Sequence, residues 1–136
     1  MTMITSQLIA NSNRVQHTAD LFGVYFPMCL EPFIYAMTDS IAPDYRGGFW
    51  NFYALNNGGF YMAPDADHSF AVCCENGYEG RLSADGLGIT VCLYAYSQLS
   101  FTGIPSFADR CAEQYHLLRE YMLDHPEAAG ILRAID

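Results

Sequence analysis

The sequence predicts an α+β fold in a single domain, with a small antiparallel β-meander of three to four strands packed against about four to five α-helices. Three observations support this prediction. A chain of 136 residues is long enough for one hydrophobic core. Aromatic and β-branched residues cluster around two Asn/Gly turns in the middle of the chain. On both sides of that region, apolar residues recur at helical spacing.

The chain begins with polar residues that show no periodicity. We therefore expect a flexible N-terminal arm over residues 1–17 and a folded domain over residues 18–136, which starts with a short segment around Thr18–Phe22. The next predicted element is a helix over Glu31–Ile41, because its apolar residues recur every three or four positions and Pro43 closes it.

The middle of the chain is typical of two β-hairpins. The predicted strands are Phe49–Tyr53, Phe60–Ala63, Phe70–Glu75 and Tyr78–Leu82. The first two flank an Asn/Gly-rich turn at residues 56–59, and the last two flank Asn76-Gly77, a pair that suits a two-residue turn with positive φ at both positions. Together the strands predict one small meander.

Ser83 is a good N-cap for a following helix with Asp85 in its first turn. The apolar segment around Leu87–Tyr96 fits one face of a helix, but it also alternates as a buried strand does. Sixteen residues without a turn favour a central helix.

The last third predicts a long helix that starts at a capping-box-like pair, Ser106 and Asp109. Its core-facing stripe comprises Phe107, Cys111, Tyr115, Leu118 and Met122. A stop at residues 124–127 precedes a short final helix that runs through Ile135.

Composition disfavours several functional classes. Fifteen acidic residues face only six arginines, and the net charge of -9 argues against direct nucleic-acid binding and against binding to anionic membranes. Five cysteines without C-x-x-C spacing indicate reduced thiols. No secretory signal is visible, and the longest apolar run falls short of the ~18 residues that span a bilayer. We expect a cytoplasmic protein.

No metal or catalytic pattern stands out. Glu113 and His116 have the Glu-x-x-His spacing of di-metal bundles, but no second motif accompanies them, so a solvated helix face is the favoured interpretation. Residues 65–68 lack the glycine and glutamate of a calcium loop. Cys73 and Cys74 are adjacent on a predicted strand, so their side chains point to opposite faces and cannot act together. We predict no catalytic residue, no metal and no cofactor.

The loop at residues 44–48 is more informative. It places a possible Asp44–Arg46 ion pair beside two glycines and just ahead of Trp50. One interpretation is a tight loop with a weak local salt bridge. The other is an interface anchor, because Arg and aromatic side chains often dominate protein contacts.

Several segments together resemble the ArdB/KlcA antirestriction family, over nearly everything after about residue 20. The segments that carry the resemblance are residues 44–50, 57–64, 82–85, 115–121, 125–127, 131 and 134–136. The resemblance implies a bacterial α+β protein, encoded on a plasmid or genomic island, that is not an enzyme. It also implies relief of restriction by type I restriction–modification systems, with methylation largely retained.

The implied partner is the type I restriction–modification complex, and we expect a monomer or weak dimer. DNA mimicry is disfavoured by the number of charges. About 35 Å of duplex carries roughly twenty negative charges, whereas the whole chain has fifteen acidic residues and six arginines. We hypothesise protein–protein or indirect interference instead. The candidate partner-binding residues are Asp44, Tyr45, Arg46, Trp50, Asn57 and Asp85. The alternative is a small ligand-binding module or enzyme that uses a pocket lined by Arg46, Trp50 and Tyr53.

Overall fold

The computed structural model describes residues 3–136, which form five α-helices and five short strands. The strands are β1 Ser6–Leu8, β2 Trp50–Leu55, β3 Phe60–Pro64, β4 Ser69–Cys73 and β5 Glu79–Ser83. The helices are α1 Arg14–Phe22, α2 Glu31–Ile41, α3 Ala84–Leu99, α4 Pro105–Met122 and α5 Ala128–Ile135. The predicted α+β fold is confirmed, including the helix over residues 31–41.

All four predicted strands form, but they are divided between two sheets. β2 and β3 belong to a three-stranded sheet of order β1-β2-β3, whereas β4 and β5 form a separate two-stranded sheet. Each pair is antiparallel, as predicted. The single continuous meander is therefore replaced by two hairpins that pack around the helices.

Both hairpins close through three-residue loops. In the second, the Gly77 N–H donates to the Cys74 carbonyl at 3.0 Å and the Cys74 N–H donates to the Tyr78 carbonyl at 2.9 Å. Only the glycine has positive φ, at 92°, so the expected two-residue turn with positive φ at Asn76 is wrong. The first hairpin closes in the same way at Gly58, whose φ is 94°.

The N-terminal segment is more regular than the sequence predicted. Residues 6–8 form β1 and pair with β2 in the register Ser6↔Leu55 and Leu8↔Tyr53. α1 begins at Arg14. The expectation of an irregular arm over residues 1–17 is therefore wrong for these stretches, and residues 1 and 2 lie outside the described part. All three β1 residues are exposed and show no alternating pattern, so the edge of β2 determines this pairing.

The chain bends sharply between α1 and α2. Gly23 ends α1 with a φ of 60°, and a π-helical segment at Phe26–Leu30 then leads directly into α2. The helical stretches Asn11–Phe22 and Phe26–Ile41 meet at 93°, and together this bent pair has a length and apolar composition compatible with crossing a membrane. Within residues 3–136, no single helix is long and apolar enough to do so.

α3 is the central element of the core. Its side chains are buried on all faces from Gly86 to Leu93, which confirms the helical interpretation of this segment. The Ser83 side chain accepts a hydrogen bond from the Gly86 N–H and caps the helix as predicted. A Cβ atom at Gly88 would lie 2.4 Å from that of Ala63, so glycine allows α3 to approach β3 closely.

Side chains from α3 and α4 satisfy the edge of β3 that faces away from β2. Gln114, which is fully buried, accepts from the Phe60 N–H at 2.8 Å. Tyr96 donates to the Phe60 carbonyl at 2.7 Å. The Met62 N–H donates to the Cys92 sulfur at 3.5 Å. A buried strand edge thus keeps hydrogen-bond partners without another strand.

α4 starts differently from the prediction. It begins at Pro105 with Ile104 as N-cap, and no side chain caps it, so the predicted role of Ser106 is wrong. The proline sets a helical φ in the first turn. The predicted apolar stripe is confirmed, since four of its residues are buried and the fifth is half-buried: Phe107, Cys111, Leu118, Met122 and Tyr115.

Candidate functional site

The predicted interface loop is fixed by buried aromatic residues. Trp50 is only 2% exposed, and its indole N–H donates to the Tyr45 hydroxyl at 2.8 Å. The ring of Tyr35 packs against the indole edge, with centroids 5.3 Å apart. Trp50 and Tyr45 therefore hold the loop in place from below.

The charged residues of that loop do not pair with each other. Arg46 donates to the Pro43 carbonyl at 2.6 Å and to the Tyr45 carbonyl at 3.1 Å. Asp44 accepts from the Ala71 N–H at 3.4 Å. The predicted Asp44–Arg46 ion pair is wrong, because the tight loop places backbone carbonyls within reach of the guanidinium.

The alternative pocket lined by Arg46, Trp50 and Tyr53 does not form. Arg46 borders a hollow of about 260 Å³ beside His68, whereas Trp50 borders a different, larger groove. Tyr53 stacks on Tyr61 with ring centroids 4.8 Å apart. The three residues do not share a cavity, so a ligand pocket built on them has no basis in this structure.

Asn57 acts within the fold. Its side-chain amide donates to the Leu117 carbonyl at 3.0 Å, and its oxygen accepts from the Gly59 N–H at 2.9 Å. These bonds fasten the β2–β3 turn to α4.

Asp85 lies at the centre of a polar network at the start of α3. One carboxylate oxygen accepts from the Tyr61 hydroxyl at 2.7 Å, and the other lies 2.8 Å from Nε2 of His125. The Glu127 N–H donates to Nδ1 of His125 at 3.0 Å. Nδ1 is thus an acceptor, and the neutral imidazole carries its proton on Nε2, directed at Asp85.

Glu127 extends this network to the N-cap of α3. Its carboxylate accepts from the Ser83 N–H at 2.8 Å and also from the Ser83 hydroxyl. Two carboxylates, from Asp85 and Glu127, therefore lie at the positive end of the helix dipole. The loop before α5 is held to α3 by these contacts.

Burial raises the pKa of Tyr61 far above its ordinary value, and the neighbouring Asp85 carboxylate adds to the effect. The pKa of Tyr53 is raised for the same two reasons, burial being the larger. Both phenols stay protonated at neutral pH, and the Tyr61 hydroxyl donates to Asp85.

This network lacks the geometry of a nucleophilic triad. In a triad, the imidazole nitrogen opposite the carboxylate must face a nucleophile. In His125 that nitrogen is used by the Glu127 N–H. Among residues 3–136, no group of three or more His, Cys, Asp or Glu side chains is placed to hold a metal ion. Glu113 and His116 are exposed on α4, which agrees with their predicted place on a solvated helix face.

The surface carries an apolar groove of about 820 Å³, which the sequence analysis missed. It lies between α1, the bend after α1, the start of α2 and residues 48–52. Its walls include Val15, Val24 and Phe49, which are 82%, 57% and 52% exposed. One sequence pattern could have indicated the helix that forms one wall of this groove. Val15, Ala19 and Phe22 recur at helical spacing, but Val15 lies within the expected N-terminal arm.

Arg14 lies in this groove. Its guanidinium carbon is 3.6 Å from the ring centroid of Phe52 and 4.8 Å from that of Phe49. One of its nitrogens donates to the Trp50 carbonyl at 2.6 Å. The guanidinium is therefore held between aromatic faces, which stabilise a cation.

Comparison with known proteins gives a consistent result. A family model described as antirestriction protein matches residues 43–136. An antirestriction protein KlcA of Escherichia coli is 38% identical over 136 residues, which cover 98% of this chain and 95% of the relative. A putative antirestriction protein YubI of Escherichia coli strain K12 is 32% identical over 133 residues, which cover 94% and 93%.

A solved structure is similar over almost the whole fold. It is described as showing that the KlcA and ArdB proteins have a novel fold and antirestriction activity against type I DNA restriction systems in vivo but not in vitro. The TM-score is 0.90 at 39% identity, with 99% of this chain and 96% of the other covered.

Proposed function

This chain belongs to the ArdB/KlcA antirestriction protein family, and from that premise we propose that it relieves DNA cleavage by type I restriction–modification systems. The observation that carries the proposal is the near-complete overlap, in sequence and fold, with proteins described by that activity. The overlap covers 99% of this chain and 96% of the other, so it is not limited to a part of the fold.

The protein interferes through protein contact or an indirect route, and not by DNA mimicry. A mimic needs a dense row of outward carboxylates, about one per 1.7 Å of duplex. This chain has fifteen acidic residues and six arginines. Asp85 and Glu127 are used within the fold, which lowers the number that face outward. The large groove is apolar, and apolar surface is a feature of protein contacts.

The loop at residues 44–49 is a proposed contact surface for the restriction machinery. Asp44, Arg46 and Phe49 are exposed there, while Tyr45 and Trp50 hold the loop from below. Asn57 and Asp85, which the sequence analysis also suggested as partner-binding residues, make their hydrogen bonds within the fold. The protein acts in the cytoplasm, where incoming DNA meets restriction enzymes, and it requires no cofactor.

The test is the plating efficiency of unmodified phage on a type I restricting host, with and without this protein. We expect at least a tenfold recovery of plaques, and no change on a host without the restriction system. Plating equal to the empty-vector control would overturn the proposed function.

A second plating separates the mechanisms. Progeny from the first host are plated on a restricting host that lacks this protein. Full plating shows that methylation continued, as expected for interference that leaves the DNA channel open. Renewed restriction of the progeny would support a mimic that blocks both activities.

A further inference from the structure

We propose that the apolar groove binds an amphipathic helix of the restriction machinery, and that this helix presents a carboxylate to Arg14 between its apolar side chains. This inference rests on the proposed function and deepens it by giving the chemistry of the partner. It combines three features of the groove: its exposed apolar walls, the guanidinium inside it, and the absence of an available strand edge.

The walls have the size and character of a binding surface. A groove of about 820 Å³ falls within the range that holds a ligand or several side chains. Val15 and Phe49 stand on its two sides with most or half of their surface exposed. Apolar side chains that remain in water around a concave site mark an interaction surface.

Arg14 determines the charge that the partner must bring. Among the described residues it makes no ion pair, and the Glu31 carboxylate at the same groove accepts from the Tyr35 hydroxyl at 3.1 Å instead. Covering an unpaired guanidinium with apolar groups alone is costly. A carboxylate on the partner removes that cost. A cationic or purely apolar partner does not.

The backbone of the occupant must satisfy its own hydrogen bonds. β2 borders the groove, but β1 covers its outer edge at Tyr53–Leu55, and on the same edge the Phe52 carbonyl accepts from the Ile9 N–H at 2.8 Å. The Trp50 carbonyl at the groove already accepts from Arg14. A strand cannot add here, whereas a helix forms its own backbone bonds and places apolar residues three and four positions on either side of an acid. A second copy of this chain would bring a further charge of -9.

The test uses the sign of a charge added at Val15, which is 82% exposed and so tolerates substitution. Val15→Asp places a carboxylate in the groove, where it repels the partner's acid and competes for Arg14. Val15→Arg adds a cation whose long aliphatic stem still covers apolar surface. Phe101→Asp is the matched control, since Phe101 is 85% exposed and does not line the groove.

In the phage assay we expect Val15→Asp to lose at least tenfold of the relief, Val15→Arg to stay within threefold of the wild type, and Phe101→Asp to match it. Full activity of Val15→Asp would show that the groove is not used. Equal losses in both Val15 variants would overturn the acidic partner. Thermal unfolding of each purified variant confirms that it is folded.

A binding measurement keeps the two proposals apart. The probe is 8-anilinonaphthalene-1-sulfonate, an anion on an apolar body, added to the purified folded protein. We expect its fluorescence to rise with the wild type and Val15→Arg and to rise much less with Val15→Asp. If this order holds while the wild type relieves no restriction, the groove chemistry stands and the proposed function fails. Equal fluorescence with both Val15 variants counts against the groove chemistry itself.

Discussion

Replacing Asp85 by alanine tests whether this carboxylate supports the fold or contacts a partner. The substitution removes the acceptor of the Tyr61 hydroxyl and of His125 Nε2, and takes a negative charge from the first turn of α3. A hydrogen bond to a charged group contributes roughly 1.5–3 kcal/mol, and a carboxylate at a helix N-terminus roughly 0.3–1 kcal/mol. The Asp85 side chain is 37% exposed, which reduces both. We therefore expect Asp85→Ala to lower the free energy of unfolding by about 2–4 kcal/mol.

Urea denaturation of the purified variants measures this change. Asp109→Ala is the matched control, because Asp109 is exposed near the start of α4, and we expect a change below about 0.5 kcal/mol. Asp85→Asn keeps the side-chain shape and one acceptor, so its loss should be about half that of the alanine variant. In the phage assay, the activity of the Asp85 variants should follow their folded fraction.

Two results would refute this reasoning. If Asp85→Ala unfolds at the urea concentration of the wild type, the network around His125 contributes nothing measurable. If the variant is fully stable but relieves no restriction, Asp85 contacts the partner directly, as the sequence analysis first suggested.

Three further predictions concern buried and reactive groups. Gln114→Leu should lower the free energy of unfolding by about 2–4 kcal/mol, because the Phe60 N–H and the Gly58 carbonyl lose their hydrogen-bond partner. Urea denaturation measures this change, and stability equal to that of the wild type would contradict it. Burial raises the pKa of Cys92 to about 12 from 9.0, so the fold favours the protonated thiol. The contribution of Cys92 to the unfolding free energy should be constant below about pH 9 and should fall as pH rises towards 12, by up to about 1.4 kcal/mol per pH unit. The check is a flatter fall of the unfolding free energy over this range in Cys92→Ala. The exposed Cys73 thiol donates to Glu79, which raises its pKa, so iodoacetamide should label Glu79→Gln faster than the wild type; equal rates would exclude that effect.

The sequence predicted those elements whose side-chain pattern is determined locally. The helix at residues 31–41 and the two hairpins follow from periodicity and turn residues, and the structure has them close to the expected bounds. β1 was missed, because its pairing depends on the edge of β2, which is distant in sequence. For α1 the sequence predicted only a short segment of unspecified type around Thr18–Phe22, because the first residues of the helix are largely polar or exposed.

The candidate site was harder to predict for a similar reason. Asp85 was selected, but its partners Tyr61 and His125 lie 24 and 40 residues away, and no spacing rule connects them. Gln114 was not singled out from the sequence, yet it is fully buried, because the edge of β3 needs an acceptor there. The groove depends on a bend at Gly23 that brings α1 beside residues 48–52. Tertiary contacts of this kind leave little trace in a single sequence.

The bonding of the arginines explains how the negative charge of this protein can still attract a partner, although that charge is too low for DNA mimicry. Arg14, Arg46 and Arg81 donate to backbone carbonyls and form no ion pair in residues 3–136, so they bind the fold together and neutralise few carboxylates locally. Under the proposed function, the net charge of -9 acts at long range and favours approach to a basic surface of the restriction machinery. Salt screens that approach, because the Debye length is about 8 Å at physiological ionic strength. The proposed apolar contact in the groove is not screened in this way, so added salt should slow association far more than it hastens dissociation.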